Sequence, residues 1–230
     1  MDIPAKPSPW WSMDRHADRA PFLRARGAIA RAVRDWFEKQ GFTEVETGIL
    51  QVSPGNETHL HAPITHVTST DGEKITRYLR TSPEFACKKL LAAGETKIVE
   101  FAKVFRDRER GALHLTEFTM LEWYRASSPY DSVIADCVAV IALAADITGA
   151  QGFSFRGRSA DPFALPERIT VAEAFHSHTG LDLLATINGK DSDRDMLATA
   201  AKDIVRVTDD DTWSDIFSKI LVEHVEPRLG

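Results

Sequence analysis

Two strand-like segments that flank a charged loop constrain the fold of this chain most strongly. In 97-KIVEFAKVFR-106 and 117-EFTMLEWYR-125, apolar residues recur with the two-residue period of a β-strand. The ten residues between them, DRERGALHLT, are mostly polar and too many for a tight hairpin turn. The pattern predicts two strands joined by a long loop, and the rest of the chain must supply a core for both.

Charged side chains lie inside these strands as well as at their ends. Because side chains alternate across a strand, one face of the first holds Ile98, Glu100, Ala102, Val104 and Arg106, and one face of the second holds Phe118, Met120, Glu122 and Tyr124. An unpaired charge buried in a sheet costs several kcal/mol. Two explanations stay open: an internal salt-bridge network, or a wet pocket lined by Arg106, Glu122 and Tyr124 for a zwitterionic, phosphate-bearing guest.

Helices are predicted for most of the remaining chain. A helix should begin at Thr81 or Ser82, because Pro83 suits the first helical position and Glu84 the first turn. The other predicted elements are an irregular arm over residues 1–20, helices at 21–41, 130–148 and near 170–178, 191–204 and 211–224, and a loop at 151–166.

The composition is that of an ordinary soluble globular chain. The 230 residues are 43% hydrophobic and 27% charged, with a formal net charge of −6. This acidic balance argues against a broad nucleic-acid-binding surface and leaves room for a local basic patch. We expect Cys87 and Cys137 to be reduced core thiols, and neither a leader peptide nor an apolar span long enough for a membrane is found. A cytoplasmic protein without membrane contact is predicted.

Three ordered segments resemble the motifs of one enzyme family. The segment 105-FRDRERGALHLTEFTMLEWYR-125 resembles motif 2 of the class II aminoacyl-tRNA synthetases, in their lysyl-tRNA synthetase branch. Upstream, 80-RTSPEFACKKLLAAG-94 is similar to that branch's T-S/A-P-E segment, and the helix followed by 41-GFTEVETGIL-50 resembles motif 1. The resemblance covers roughly residues 21–125. It implies an α+β fold, with a mostly antiparallel sheet flanked by helices, and a homodimer formed through residues 21–50.

Two features narrow the resemblance within the family. Only about 20 residues precede motif 1, so no anticodon-binding domain is expected, and EFTMLEWYR is more similar to the elongation factor P lysine ligases. These relatives activate lysine or (R)-β-lysine as an adenylate and transfer it to a lysine of elongation factor P. The resemblance implies the same reaction here, with ATP as substrate, Mg²⁺ as cofactor and tRNA as a less expected partner. Two alternatives stay open: a lysyl-tRNA synthetase catalytic fragment, and a non-catalytic module that binds a nucleotide or an amino acid.

The resemblance also assigns roles to residues. Arg106 is the expected catalytic residue on the α-phosphate of ATP, where negative charge grows during adenylate formation. The expected ATP-binding residues are Arg106, Arg108, Glu109, His114, Glu117 and Phe118, and the expected amino-acid-binding residues are Ser82, Glu84, Glu122 and Tyr124. From the residues alone, Phe118 also fits an ordinary core position and Glu84 a helix first-turn acid.

The chain departs from the family pattern at several places. Gly48 stands at the motif 1 proline, Arg108 at a motif 2 glutamate and Leu115 at an asparagine. No G-x-G-x-x-R of motif 3 occurs, so the catalytic domain expected over 21–230 represents the N-terminal two-thirds of the family domain, and its Mg²⁺-binding glutamates would lie beyond residue 230. The histidine-containing segment 56-NETHLHAPITH-66 is predicted to be a substrate-covering loop, because no cysteine or acid completes a metal site there.

Overall fold

The computed structural model describes residues 9–55, 57, 59–109, 111–155 and 157–229. The chain divides into two compact units, with the boundary between Phe153 and Ser154. The region 21–230, predicted to be one catalytic domain, spans both units, and the candidate site residues all belong to the first. None of the helices in the described ranges is both long enough and apolar enough to cross a membrane.

The first helix, α1 (Met13–Lys39), begins earlier than its apolar pattern indicates. The irregular arm predicted up to residue 20 is wrong from Met13 onward, and residues 1–8 lie outside the described part. Only Val33 and Phe37 of this helix are buried, so its first half carries no apolar period from which its start could be predicted. Pro21 lies inside the helix, whereas Gly41, with φ 78°, ends it as predicted.

A three-stranded sheet forms the centre of the first unit. Its strands are β1 (Thr43–Glu44), β5 (Lys97–Phe105) and β6 (Glu117–Arg125), in the order β1-β5-β6. The β5–β6 pair is antiparallel, as predicted, whereas β1 runs parallel to β5, so this sheet is mixed. The segment from Phe42 to Gln51 contains β1 and a second two-residue strand, Leu50–Gln51. The position of such short strands is determined by tertiary pairing.

One face of this sheet is covered by helices. Val33 and Phe37 of α1 pack with Phe42 and Val99, and α3 (Tyr130–Thr148) adds Val140 and Leu143. The partly buried Phe101, Leu121 and Trp123 of β5 and β6 complete this cluster. The opposite face, which carries Glu100 and Glu122, is therefore the one left for a site.

A second sheet lies in the same unit. Its strands are β2 (Leu50–Gln51), β3 (Ile64–Thr68) and β4 (Lys74–Leu79), antiparallel in the order β2-β4-β3. Strand β3 begins inside the segment predicted to be a loop over 56–66, so that prediction is wrong from Ile64; Asn56 and Thr58 lie outside the described residues. Helix α2 (Glu84–Ala92) follows β4 and buries Cys87, whereas Cys137 on α3 is exposed, contrary to the prediction of a core thiol.

The second unit is mainly helical, as predicted. Its helices are α4 (Val171–Thr179), α5 (Arg194–Ala201) and α6 (Trp213–Ile220), the last continued by a π-helical turn, Leu221–Val225, and a 3₁₀ turn, Glu226–Arg228. Two short hairpins were not predicted: β7 (Phe153–Phe155) with β8 (Arg158–Ala160), and β9 (Ile187–Asn188) with β10 (Asp191–Ser192). The core of this unit contains Phe175, Leu197, Ile216 and Ile220, all fully buried.

Candidate active site

The register of β5 and β6 sets the frame of the site. The Cα partners are Ile98 with Tyr124, Glu100 with Glu122, Ala102 with Met120 and Val104 with Phe118. Directly paired residues point to the same face of an antiparallel sheet. The face predicted for each strand is confirmed, and the pairing places Phe118 toward one end and Glu122 and Tyr124 toward the other.

A cavity lies at the Phe118 end of this face. It has a volume of about 330 Å³ and is lined by Arg106, Glu109, Leu113, His114, Leu115 and Phe118. The Arg106 guanidinium lies 5.5 Å from the centre of the Phe118 ring, and its Nε donates to the Thr81 carbonyl oxygen at 3.4 Å. An aromatic face beside a guanidinium suits a base with an attached phosphate. The structure brings four of the six predicted ATP-binding residues to this cavity.

Two predicted ATP-binding residues lie elsewhere. Arg108 adopts φ 64°, which is uncommon for a residue with a side chain, and it lines a separate cavity of about 470 Å³ together with His61, Tyr78 and Asp107. Glu117 lies on the other face of β6 from Phe118, and its carboxylate is 3.8 Å from the Lys103 Nζ. These two placements differ from the expectation because motif spacing does not fix which side of a loop or strand a residue occupies.

Hydroxyl donors surround the Glu122 carboxylate. The Ser82 Oγ donates to Glu122 Oε2 at 2.8 Å, and the Tyr124 hydroxyl donates to Glu122 Oε1. Ser82 also accepts a hydrogen bond from the Glu84 backbone N–H at 3.0 Å, close to the start of α2. No salt bridge to Glu122 is found among the described residues. Three of the four predicted amino-acid-binding side chains thus form one cluster around a carboxylate that has no salt bridge within the described part of the chain.

The fourth, Glu84, is engaged within its own helix. Its carboxylate forms a salt bridge with Lys88, four residues further along α2, and this bond is the main reason that the pKa of Lys88 is raised. In this structure Glu84 thus behaves as a first-turn acid. Its expected role toward a substrate stays a prediction.

Burial shifts the pKa values of two groups in the cluster. Desolvation, followed by the hydrogen bond to Glu122, raises the pKa of Tyr124 well above its ordinary value. Desolvation, followed by the nearby Glu100 carboxylate, raises the pKa of Cys87 to about 12. Both groups are therefore neutral hydrogen-bond donors at neutral pH, and neither adds a charge to the site.

A buried ion pair next to Glu122 was missed by the sequence analysis. Arg80 and Glu100 are each 3% exposed, and Arg80 Nη2 donates to Glu100 Oε1 at 2.7 Å. Thr47 donates to both oxygens of Glu100, from its N–H at 3.2 Å and its Oγ1 at 2.8 Å. The sequence feature that could have indicated this ion pair was Arg80, which directly precedes the T-S-P-E segment. The explanation by an internal salt-bridge network is therefore confirmed for Glu100. The pocket lined by Arg106, Glu122 and Tyr124 stays a prediction, because the cavity at Arg106 is lined by neither Glu122 nor Tyr124.

Comparison with known proteins places the chain in a family. Residues 8–211 match the family model described as tRNA synthetases class II (D, K and N). The chain is 33% identical to the lysine–tRNA ligase of Pelotomaculum thermopropionicum over 90% of its own length and 40% of the relative. It is 35% identical to an elongation factor P–(R)-β-lysine ligase of Mannheimia succiniciproducens, over 68% of this chain and 50% of the relative. A ligase of the same description from Haemophilus influenzae is 31% identical over 90% of this chain and 58% of the relative.

The match covers most of the chain, so the chain belongs to the class II tRNA synthetase family of the D, K and N type. The relatives named above are one lysine–tRNA ligase and two elongation factor P–(R)-β-lysine ligases. The chain spans about half the length of these curated relatives. The recognition made from the three motifs is thereby confirmed.

Proposed function

We propose that this chain carries the nucleotide-binding and amino-acid-binding face of an ATP-dependent ligase that activates lysine or (R)-β-lysine as an aminoacyl-adenylate. The observation that carries the proposal is the Glu122 carboxylate, which two hydroxyl groups orient and no salt bridge neutralises in the described part of the chain. A substrate with ammonium groups supplies the missing positive charge. Phe118 lies on the same face four residues away, about 13 Å along the strand.

The nucleotide end of the face supplies the chemistry of activation. A substrate carboxylate oxygen forms a bond to the α-phosphorus of ATP while the bond to pyrophosphate breaks, and negative charge grows on the non-bridging oxygens. Arg106 lies at the cavity where this charge would develop, and one fixed donor of this kind contributes roughly two to three orders of magnitude in rate. Phe118 offers its ring to the adenine base.

The amino-acid end of the face orients the substrate. Ser82 and Tyr124 each donate to one Glu122 oxygen, which leaves the remaining lone pairs of both oxygens for an ammonium group. Because the raised pKa of Tyr124 keeps its phenol protonated, this donor persists across the physiological range. The site thus favours a positively charged group of the substrate.

Class II synthetases generally use Mg²⁺ together with ATP. Within the described residues, no group of three or more histidine, cysteine, aspartate or glutamate side chains is arranged to hold a metal ion. The described residues therefore do not by themselves form a Mg²⁺ site.

The acceptor is proposed to be a lysine amine of elongation factor P. Its nitrogen attacks the carbonyl carbon of the adenylate, an amide bond forms and AMP leaves. Support comes from the relatives of that description, at 31–35% identity over 68–90% of this chain. The second candidate is tRNA, supported by the lysine–tRNA ligase at 33% identity over 90% of the chain.

The experiment that tests the proposal is ATP–pyrophosphate exchange with lysine and (R)-β-lysine added separately. Exchange that requires one of the amino acids and disappears in Arg106→Ala supports the proposal. Arg77→Ala is the matched control, because Arg77 lies on β4 and donates to the neighbouring Thr76 carbonyl. Exchange that survives Arg106→Ala would assign the chemistry to another group. Binding of lysine or ATP without exchange would instead support the non-catalytic module.

A further inference from the structure

A single arginine outside the amino-acid subsite joins the elements that build it. Arg80 follows β4 directly, and its backbone N–H donates to the Ile49 carbonyl at 3.1 Å while its own carbonyl accepts from the Phe105 N–H at 2.9 Å. The residue therefore links the β2-β4-β3 sheet to β5. Ser82, the donor to Glu122, comes two residues later.

The Arg80 side chain is fully engaged and points away from solvent. Besides Glu100, its Nη1 donates to the Thr47 carbonyl at 3.0 Å and to Thr47 Oγ1 at 2.6 Å, and its Nε donates to the Lys103 carbonyl at 2.9 Å. The planar guanidinium makes these bonds to three residues at once, which a lysine ammonium cannot reproduce. With an exposure of 3%, Arg80 cannot contact a substrate that binds at Glu122 from solvent.

The two opposed carboxylates, Glu100 and Glu122, differ in their cationic partners. Glu100 and Glu122 are Cα partners across β5 and β6, and the buried Arg80 guanidinium is committed to Glu100. The charged and titratable groups around Glu122 are Tyr124 on its own strand, Glu84, Cys87 and Lys88 on α2, and Glu100 on β5. Lys88 is bonded to Glu84, so Glu122 keeps its charge for a ligand.

We infer that Arg80 is a positioning residue for the amino-acid subsite: by holding Glu100, Thr47 and Lys103 together it fixes the Ser82 hydroxyl on Glu122 and keeps Glu122 available for a substrate ammonium group. The inference rests on the proposed function for the identity of the ligand. The geometry of the Ser82–Glu122 contact does not depend on the proposed function. Arg80 acts on the substrate only through Ser82 and Glu122.

Arg80→Lys tests the inference, because lysine keeps the positive charge but lacks the planar guanidinium that bonds to three residues. The expected result is a roughly tenfold weaker affinity for lysine or (R)-β-lysine, with the affinity for ATP changed less than about twofold. Titration calorimetry of the whole chain measures both. Equal weakening of the two ligands, or no change in either, would show that Arg80 has only a structural role.

Arg125→Lys is the matched control. Arg125 is another largely buried arginine, with Nε and Nη2 donating to Asp136 at 2.7 and 2.8 Å, but it faces α3 on the other side of the sheet. Its substitution should lower stability and leave the affinity for lysine unchanged. A loss of lysine affinity equal to that of Arg80→Lys would overturn the inference.

A measurement without ligand separates this inference from the proposed function. Backbone amide shifts of Ser82, Glu84 and Glu122 should move in Arg80→Lys and stay in place in Arg125→Lys. If the wild-type chain binds no amino acid while these shifts move, the proposed function fails and the positioning role stands. If the wild-type chain binds lysine and the shifts stay in place, the positioning role fails.

Discussion

Glu100 and Glu122 face each other across an antiparallel strand pair, and only Glu100 has a cationic partner in the described structure. Like charges directly opposed across a sheet are destabilising, so the arrangement has an energetic cost. The Arg80–Glu100 pair offsets part of this repulsion, and the hydroxyl groups of Ser82 and Tyr124 stabilise the charge on Glu122. In the proposed function, the ammonium group of the substrate neutralises this remaining charge.

Glu122→Gln should weaken the binding of lysine roughly 10- to 100-fold, because a hydrogen bond to a charged group contributes about 1.5–3 kcal/mol. ATP binding should change little, since the nucleotide cavity lies at the other end of the face. Titration calorimetry with each ligand measures the two effects. Glu95→Gln, at an exposed position after α2, is the control and should behave as wild type. Unchanged lysine affinity in Glu122→Gln would remove the ammonium subsite from this face.

Phe118→Ala should weaken ATP binding, because stacking of a base on an aromatic ring contributes roughly 1–3 kcal/mol. Phe118→Tyr keeps the ring and should retain most of the affinity. Fluorescence competition with a labelled nucleotide measures both variants. Equal affinities in the alanine and tyrosine variants would show that Phe118 is an ordinary packing residue.

Arg80→Met should lower the free energy of unfolding of β5 by about 3–5 kcal/mol, because it leaves the buried Glu100 carboxylate without its cation. The double substitution Arg80→Met with Glu100→Leu removes both charges and should recover most of this loss. Amide hydrogen exchange in β5 reports the local stability. A double variant as unstable as the single one would mean that shape, rather than charge, determines the cost.

Cys87 and Cys137 should differ in reactivity at pH 8. Burial and the neighbouring Glu100 raise the pKa of Cys87 from 9.0 to about 12, so its thiol stays protonated and shielded, whereas Cys137 is exposed. A thiol reagent should therefore modify Cys137 quickly and Cys87 only after unfolding, as peptide mass spectrometry can show. Rapid modification of Cys87 in the folded chain would contradict its buried position.

The raised pKa of Cys87 also makes the stability of the fold decrease at alkaline pH. A thiol whose pKa is raised on folding contributes stability that is fully present below pH 9 and is lost as the pH rises toward about 12. The raised pKa of Tyr124 acts in the same direction. The urea midpoint should fall between pH 9 and 11, and Cys87→Ala should reduce this fall without abolishing it. A midpoint that rises over this range would contradict both shifts.

Much of the local structure followed from the pattern of apolar residues. Strand β6 (Glu117–Arg125) and helix α3 (Tyr130–Thr148) have the predicted bounds, because each has a clear period and a polar or proline-containing boundary. The motif resemblance also predicted that Arg106 and Phe118 lie together. These patterns are local, so they can be recognised without knowledge of the tertiary contacts of the chain.

Other features depended on contacts between distant segments. Helix α1 extends back to Met13 although its first half buries nothing, and β1 pairs parallel to β5 over only two residues. Arg108 and Glu117 share the motif with Arg106 but point elsewhere, because the turn at Arg108 and the alternation of β6 decide their directions. No short pattern contains this information.

The sequence by itself determined the two central strands, β5 and β6, the main helices and the family, because these depend on periodicity and motif spacing along the chain. Only the tertiary structure decided which carboxylate is neutralised. Arg80 lies 20 residues from Glu100, and its guanidinium reaches that carboxylate because β4 and β5 are brought together through backbone hydrogen bonds. Electrostatic pairing depends on distance in space, so the pairing of Arg80 with Glu100 rather than with Glu122 exists only in the folded chain.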